Sequence, residues 1–292
     1  MTERERDLAD GVSSSGRRGF LAGAGTVAGI AMLGDSVGAT SVGIGAPTAA
    51  TDEIDSGPFP YEELDAERAK QLGRENYHAG MHCSEGSLNA IVTLLREKVG
   101  GPWNDVPTSA SLWAKGGGIG WGSVCGAVVG ANTAISIVYG RSKEGKMNAV
   151  SDELMRWYTQ HPFPQYTPPT DAEGITKKLP KSRSGSILCH TSVTNWCKAS
   201  GLASGSSERS ERCSRLTGET AARAIELLNA DAAGNLQGEV DSFTPATVRS
   251  DKGCRSCHFK GPDASGGQMT RGKMECLNCH HAAPHMPDSL KD

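Results

Sequence analysis

Two short stretches near the C-terminus carry the strongest chemical signal. They read Cys254-Arg255-Ser256-Cys257-His258 and Cys276-Leu277-Asn278-Cys279-His280. Each is a C-x-x-C-H unit, the attachment signature of a c-type haem. Two thiols one turn apart reach the two vinyl groups of one porphyrin, and the adjacent histidine is set under the iron as proximal ligand. A zinc ribbon competes, because eighteen residues separate Cys257 from Cys276 and four thiolates satisfy zinc without histidine. The histidines decide. They are 8 of 292 residues, so finding one after both pairs by chance is about one in a thousand on composition. Thiolates outside the cytoplasm are also open to oxidation, whereas a thioether is not. The expectation is two haems c. Each iron then needs a sixth ligand or keeps an open site. His281 and His285 are the nearest candidates, Met274 and Met286 are close, and His190 or His82 could reach from elsewhere. Bis-histidine ligation makes an electron carrier, and an open position makes small-molecule chemistry.

Nine cysteines is an odd number. Five of them, Cys83, Cys125, Cys189, Cys197 and Cys213, precede the C-x-x-C-H units. Two disulfides and a spare, or buried small hydrophobes, are one reading. Cys189 and Cys197 are eight residues apart, which on a helix turns them about 80° from one another. They need not share a site. The stretch Gly116–Gly122 lacks the G-K-[ST] ending of a phosphate loop and does not fit G-x-G-x-x-G. It reads as a turn that lets backbone come close to a neighbour.

The elements that must position these residues read as helices. Glu62–His78 carries a loose apolar stripe ended by Gly80, and Ser84 is placed to cap a second helix that Gly100, Gly101 and Pro102 stop. A third runs from about Cys125 to Tyr139, with a very small surface at Gly126, Ala127, Gly130, Ala131 and Ala134. Asp152–Thr159 reads as a short helix, Ile187–Trp196 as another carrying Cys189, and Ser207–Asn229 as a longer one. On that last helix Cys213, Leu216, Thr220, Leu227 and Leu228 sit near one face. No period-2 run of strand length is present. After Ala230 the apolar density falls, and the tail is too polar to form an ordinary core. Porphyrins would supply the missing apolar surface.

The N-terminus reads as an address. Ser15-Gly16-Arg17-Arg18-Gly19-Phe20-Leu21, followed by a weakly apolar Gly/Ala stretch, is the pattern of a twin-arginine export signal. Expected boundaries are 1–39 for the signal, 40–60 for a linker, 61–230 for a helical cysteine-containing domain and 231–292 for a short, irregular dihaem segment. The fold class is mainly α. A net charge of −3 excludes a basic nucleic-acid footprint. No apolar run approaches the ~20 residues of a membrane-spanning helix. Glycine is 37 of 292 residues and aromatics only 5%, so any compact core is built from small and aliphatic side chains.

The local text around the upstream cysteines is specific: M-H-C-S-E-G at Cys83, G-G-G-I-G-W-G-S-V-C-G-A-V-V-G through Cys125, G-S-I-L-C-H at Cys189 and E-R-C-S-R-L-T-G-E-T at Cys213. It resembles the small bacterial redox proteins named for a lone cysteine, a CGAxxG motif and two later cysteines. Joined to two C-x-x-C-H units it resembles split-Soret cytochrome c, over roughly Tyr61 to His285. The resemblance implies a helical domain whose cysteines bind an iron–sulfur cluster. It implies haems stacked close together at a homodimer contact, and a partner histidine as axial ligand. Cys83, Cys125, Cys189 and Cys213 match the four-cysteine pattern, and Cys197 is extra. The residue types agree, since thiolates suit an iron–sulfur cluster. So does the export signal. Twin-arginine export carries folded proteins, a cluster is inserted in the cytoplasm, and haem c is attached only afterwards.

Two functions follow as expectations. The first is an electron-transfer protein of the periplasm, favoured because the chain holds no flavin or nicotinamide fingerprint and no nucleophile elbow. The second is a redox enzyme reducing a small molecule at an open haem or labile cluster.

Overall fold

The computed structural model describes residues 58–243 together with His258, Lys273 and Met274. All lie within the unit spanning residues 51–292. The expected export signal, and every residue of the two C-x-x-C-H units except His258, fall outside these residues. So do His281, His285 and Met286.

Helix α1 (Ala66–Asn76) starts at Asp65, whose carboxylate accepts from Arg68 N at 3.1 Å. This satisfies one of the orphan donors of a helix N-terminus. The helix does not end at Gly80 by a simple stop. It passes into a π-helical turn, Tyr77–Met81, in which Gly80 takes φ 94°. Helix α2 (His82–Lys98) follows directly. Ser84 is not its cap: it lies inside the helix, fully buried, and its hydroxyl has no partner. Gly100 and Gly101, both at positive φ, end α2 as expected. Two 3₁₀ turns, Gly101–Asp105 and Thr108–Ala114, lead to a single turn, α3 (Lys115–Gly118), whose Gly116 and Gly117 are left-handed.

Helix α4 (Gly126–Tyr139) is almost wholly buried. Helix α5 (Glu144–Gln160) is twice the expected length, because Val150, Leu154, Trp157 and Tyr158 continue one buried face through a polar-looking start. The two-residue strands β1 (Pro162–Phe163) and β2 (Ser182–Arg183) pair antiparallel. Helix α6 (Cys189–Ser200) begins after Ile187, which lies in a bend, and Leu188, which is extended. Helix α7 (Ser207–Ala232) is capped by Ser206, whose hydroxyl accepts from Arg209 N at 3.2 Å. A short α8 (Leu236–Phe243), not foreseen, packs back on it. The fold class is mainly α, as expected. No helix of the described residues is long and apolar enough to cross a membrane.

Helix α7 touches α1, α2, α4, α5 and α8. It is therefore buried on most sides and not along a single face. Small residues allow it: a methyl on Gly73 would sit 2.6 Å from Gly218 Cα, so α1 and α7 meet backbone to backbone. Two buried glutamates on it are fully engaged. Glu211 binds Arg74 at 2.9 Å, Arg215 at 2.6 Å and His78 at 2.8 Å. Glu219 accepts from Gln165 N and Tyr166 N at 2.8 and 2.9 Å. Phe59, within the stretch read as linker, packs edge-on against buried Trp103 with ring centroids 5.2 Å apart.

The Glu211 cluster has a pH consequence. Burial raises the Glu211 pKa, but hydrogen bonds from His78, Arg74 and Arg215 outweigh it and bring the group down to about 2. A carboxyl depressed in the folded state gives stability that is present above its unfolded value, near 4.5, and is lost as pH falls toward 2. The loss is about 3 kcal/mol. Denaturant melts between pH 6 and pH 2 should show this fall, and E211Q should flatten it.

Candidate metal centre

The segment Gly116–Ser123 folds on itself. Gly122 N donates to Gly116 O at 3.1 Å and Ser123 N to Gly117 O at 2.9 Å. Gly117 is left-handed, and a methyl there would lie 2.6 Å from Ser123 N. Only glycine fits such a crossing without strain. The chain leaving this turn pairs with the approach to α6. Cys125 N donates to Ile187 O at 2.8 Å, Cys189 N to Ser123 O at 2.7 Å and His190 N to Gly122 O at 3.1 Å, around an antiparallel bridge of Val124 with Leu188. Backbone hydrogen bonds thus bring Cys125 and Cys189 side by side, at the N-termini of α4 and α6.

The motif Cys125-Gly126-Ala127-Val128-Val129-Gly130 explains how Cys83 joins them. A methyl on Gly126 would sit 2.5 Å from Cys83 Sγ, and one on Gly130 would penetrate Ser84 O and Ser87 Oγ. The two glycines lie one turn apart on the α4 face that meets α2. Ser87 Oγ donates across that contact to Ala127 O at 3.0 Å. Cys83, at the start of α2, is thereby pressed against the start of α4. Cys213 enters from α7.

All four of these cysteines line one cavity of about 320 Å³. None forms a disulfide. Cys197, one helix length further on, does not line it. Among the described residues no three His, Cys, Asp or Glu side chains are grouped tightly enough to hold a single metal ion. Burial, and then the neighbouring Cys125, push the Cys83 thiol well up, and burial also raises Cys125. Burial, Cys125 and Cys213 push Cys189 up to about 12. Thiols in this state are poor nucleophiles. They become thiolates when a cation supplies the opposite charge.

Of the other candidates among the described residues, only His82 reaches the cavity. His82 lines the cavity at φ 56°, a conformation rare outside glycine. Its pKa is lowered by burial and by Lys115. His190 is exposed beside Gly122. His258 is partly buried. Met274 Sδ meets Ser186 Oγ at 3.6 Å, and Lys273 pairs with Asp152 at 2.9 Å. These contacts set the residues just before Cys276 against the cysteine domain. Sequence reasoning missed Arg212, which lines the cavity. Its only signal was its place next to Cys213.

Residues 81–227 match the family model of a putative redox-active protein with the cysteine pattern C_GCAxxG_C_C. Over 271 residues the chain is 36% identical to split-Soret cytochrome c of Desulfovibrio desulfuricans, covering 91% of this chain and 94% of that protein. The chain belongs to the split-Soret cytochrome c family. A solved structure of the Desulfovibrio desulfuricans cytochrome, described as having a novel iron centre, superposes with a TM-score of 0.66 at 34% identity. That match covers 79% of this chain and 93% of the other. In this family member the motif cysteines at 83, 125, 189 and 213 come from four separate elements and meet at one cavity.

Proposed function

We propose that this protein is an exported electron-transfer protein carrying two covalently attached haems c and an iron–sulfur centre. Cys254 and Cys257 attach one haem, with His258 as proximal ligand, and Cys276 and Cys279 attach the other, with His280. His281 and His285 are the distal ligands nearest in sequence. Cys83, Cys125, Cys189 and Cys213 hold the iron–sulfur centre. One observation carries this reading: four free cysteines, from α2, α6, α7 and the N-terminus of α4, line a single cavity of about 320 Å³. A cavity of that size lined by four thiols suits a group larger than an atom. The glycines at 116 and 120 leave room beside it. When bound, such a centre supplies a one-electron couple. The protein's part is to shield it: Cys83 and Cys125 are buried, and α2, α4 and α7 close the site from within.

The related Desulfovibrio protein, a cytochrome with an iron centre, supports the pairing of haem and non-haem iron. The twin-arginine pattern supports a periplasmic location, reached after the iron–sulfur centre is built. Assembly as a homodimer, with the haems near the subunit contact, completes the reading.

The test is an absorption spectrum, oxidised and dithionite-reduced, with iron counted per chain. A split Soret band with more than two irons is the expected result. C83S should lose the irons in excess of two and keep the haem bands, whereas C197S should keep both. Wild-type protein with only two irons would overturn the iron–sulfur assignment. Ready carbon monoxide binding to the ferrous haems would overturn a pure carrier in favour of an enzyme.

A further inference from the structure

Four arginines are wholly or almost wholly buried on α1 and α7: Arg74, Arg212, Arg215 and Arg223. Three meet carboxylates. Arg74 and Arg215 share Glu211, and Arg223 pairs with Glu226 and Glu239. Arg212 meets none. It is 1% exposed. Its Nη2 donates to Ser192 Oγ at 2.8 Å, its guanidinium stands 5.9 Å from the centre of the Phe163 ring, and its Nε has no partner. Its Nη1 points to Cys213 Sγ at 4.0 Å. A buried charge without a counter-charge costs several kcal/mol. Helix α7 tolerates it next to a cavity lined by four cysteines, and among the described residues no Asp or Glu lines that cavity.

We infer that Arg212 is the built-in counter-charge of the cysteine-held centre and sets its reduction potential. This rests on the iron–sulfur reading above. Four thiolates around iron carry negative charge, and each electron taken up adds more. A fixed positive charge in a low-dielectric site favours the more negative, reduced state. It therefore raises the potential. Removing it should make reduction harder. By analogy with proton equilibria, an opposite charge within about 4–6 Å shifts a pKa by about 1–3 units, tenfold or more. Arg212 is a positioning residue in this role: it acts on the centre through charge and through its contact with the Cys213 sulfur, and it exchanges no electron itself. Its hold by Ser192, on α6, ties the charge to the element that carries Cys189.

The experiment is a mediated redox titration of the full chain with dithionite, followed by electron paramagnetic resonance, on wild type, R212M and R212K. Each step adds one electron and reduces one ferric ion to ferrous. The haem bands, read in parallel, are the internal control. In R212M the equilibrium constant for reduction of the non-haem centre should fall about tenfold, equivalent to about 59 mV for one electron, while the haem potentials stay put. R212K should stay close to wild type. An R212M centre at full iron content with an unmoved potential overturns the inference alone. If R212M assembles no centre, R212K decides: assembly there supports the need for positive charge, and loss there overturns it. Wild type with no iron beyond the haems overturns the reading of the cavity, and the inference with it.

Discussion

E211Q should destabilise the fold by about 3–5 kcal/mol, the usual cost of removing one partner of a buried ion pair. Glu211 is the acceptor for two buried guanidiniums and a histidine at once. Glutamine has nearly the same shape but no charge, so Arg74 and Arg215 would be left facing each other across a neutral amide. Neither can lose its proton to escape. The effect extends beyond the cluster. Arg215 also donates to Ile175 O and Lys177 O, at 2.6 and 3.0 Å, so it pins the loop between β1 and β2. Thermal unfolding followed by circular dichroism should show a lower midpoint, by roughly 10 °C for a chain of this size. A change under about 1 kcal/mol, within the range of an ordinary surface ion pair, would mean the cluster contributes no more than such a pair. The double variant R74M/E211Q should be less unstable than the sum of its parts, because the first change removes a charge that the second would strand.

G130A should have the second large effect. Its new methyl would overlap the carbonyl oxygen of Ser84 and the hydroxyl of Ser87, one backbone and one buried side chain. Neither can swing away, so α2 and α4 must part. Overpacking of this kind costs about 1–3 kcal/mol. Because Cys83 and Cys125 lie at the same contact, the parting also separates two cysteines of the cavity. The variant should fold, melt lower and lose most of its non-haem iron. Gly145 in α5 is the control, since a methyl there meets nothing within 4 Å. G145A should leave iron content and stability unchanged or slightly raised. Full iron content in G130A would show that the helices can separate without disturbing the centre.

Both glycines of the motif were visible in the sequence as part of a small-residue face, and that face does meet another backbone. The turn at 116–122 and the stop at Gly100 were legible for the same reason: glycine at positive φ is a local requirement that no distant residue can supply. Other features were not local. Ser84 has the right type and place for a cap, but tertiary packing buries it inside α2. Helix α5 begins with Glu144, Gly145 and Lys146, which hide a face that shows only once Val150 and Leu154 meet the core. The inward placing of the charged residues of α7 was not legible either. They turn inward because Glu211 finds Arg74, 137 positions earlier, and no period in the sequence reveals that pairing. The convergence of four cysteines spread over residues 83–213 was suggested by family resemblance. Its physical cause, a backbone bridge between residues 122–125 and 187–190, could not be read from composition or spacing.

That bridge also divides the cavity into parts of unequal rigidity. Cys125 and Cys189 are fixed to one another by three amide hydrogen bonds between residues 122–125 and 187–190. Cys83 and Cys213 sit within α2 and α7, which join the rest of the site through side chains, as in Ser87 Oγ to Ala127 O and Arg212 Nη1 to Cys213 Sγ, and not through a backbone bridge. The first pair behaves as one rigid jaw. The second pair rides on α2 and α7. Any change in the spacing of the four sulfurs would therefore come from those helices and not from the 125–189 pair, whose backbone is already fixed.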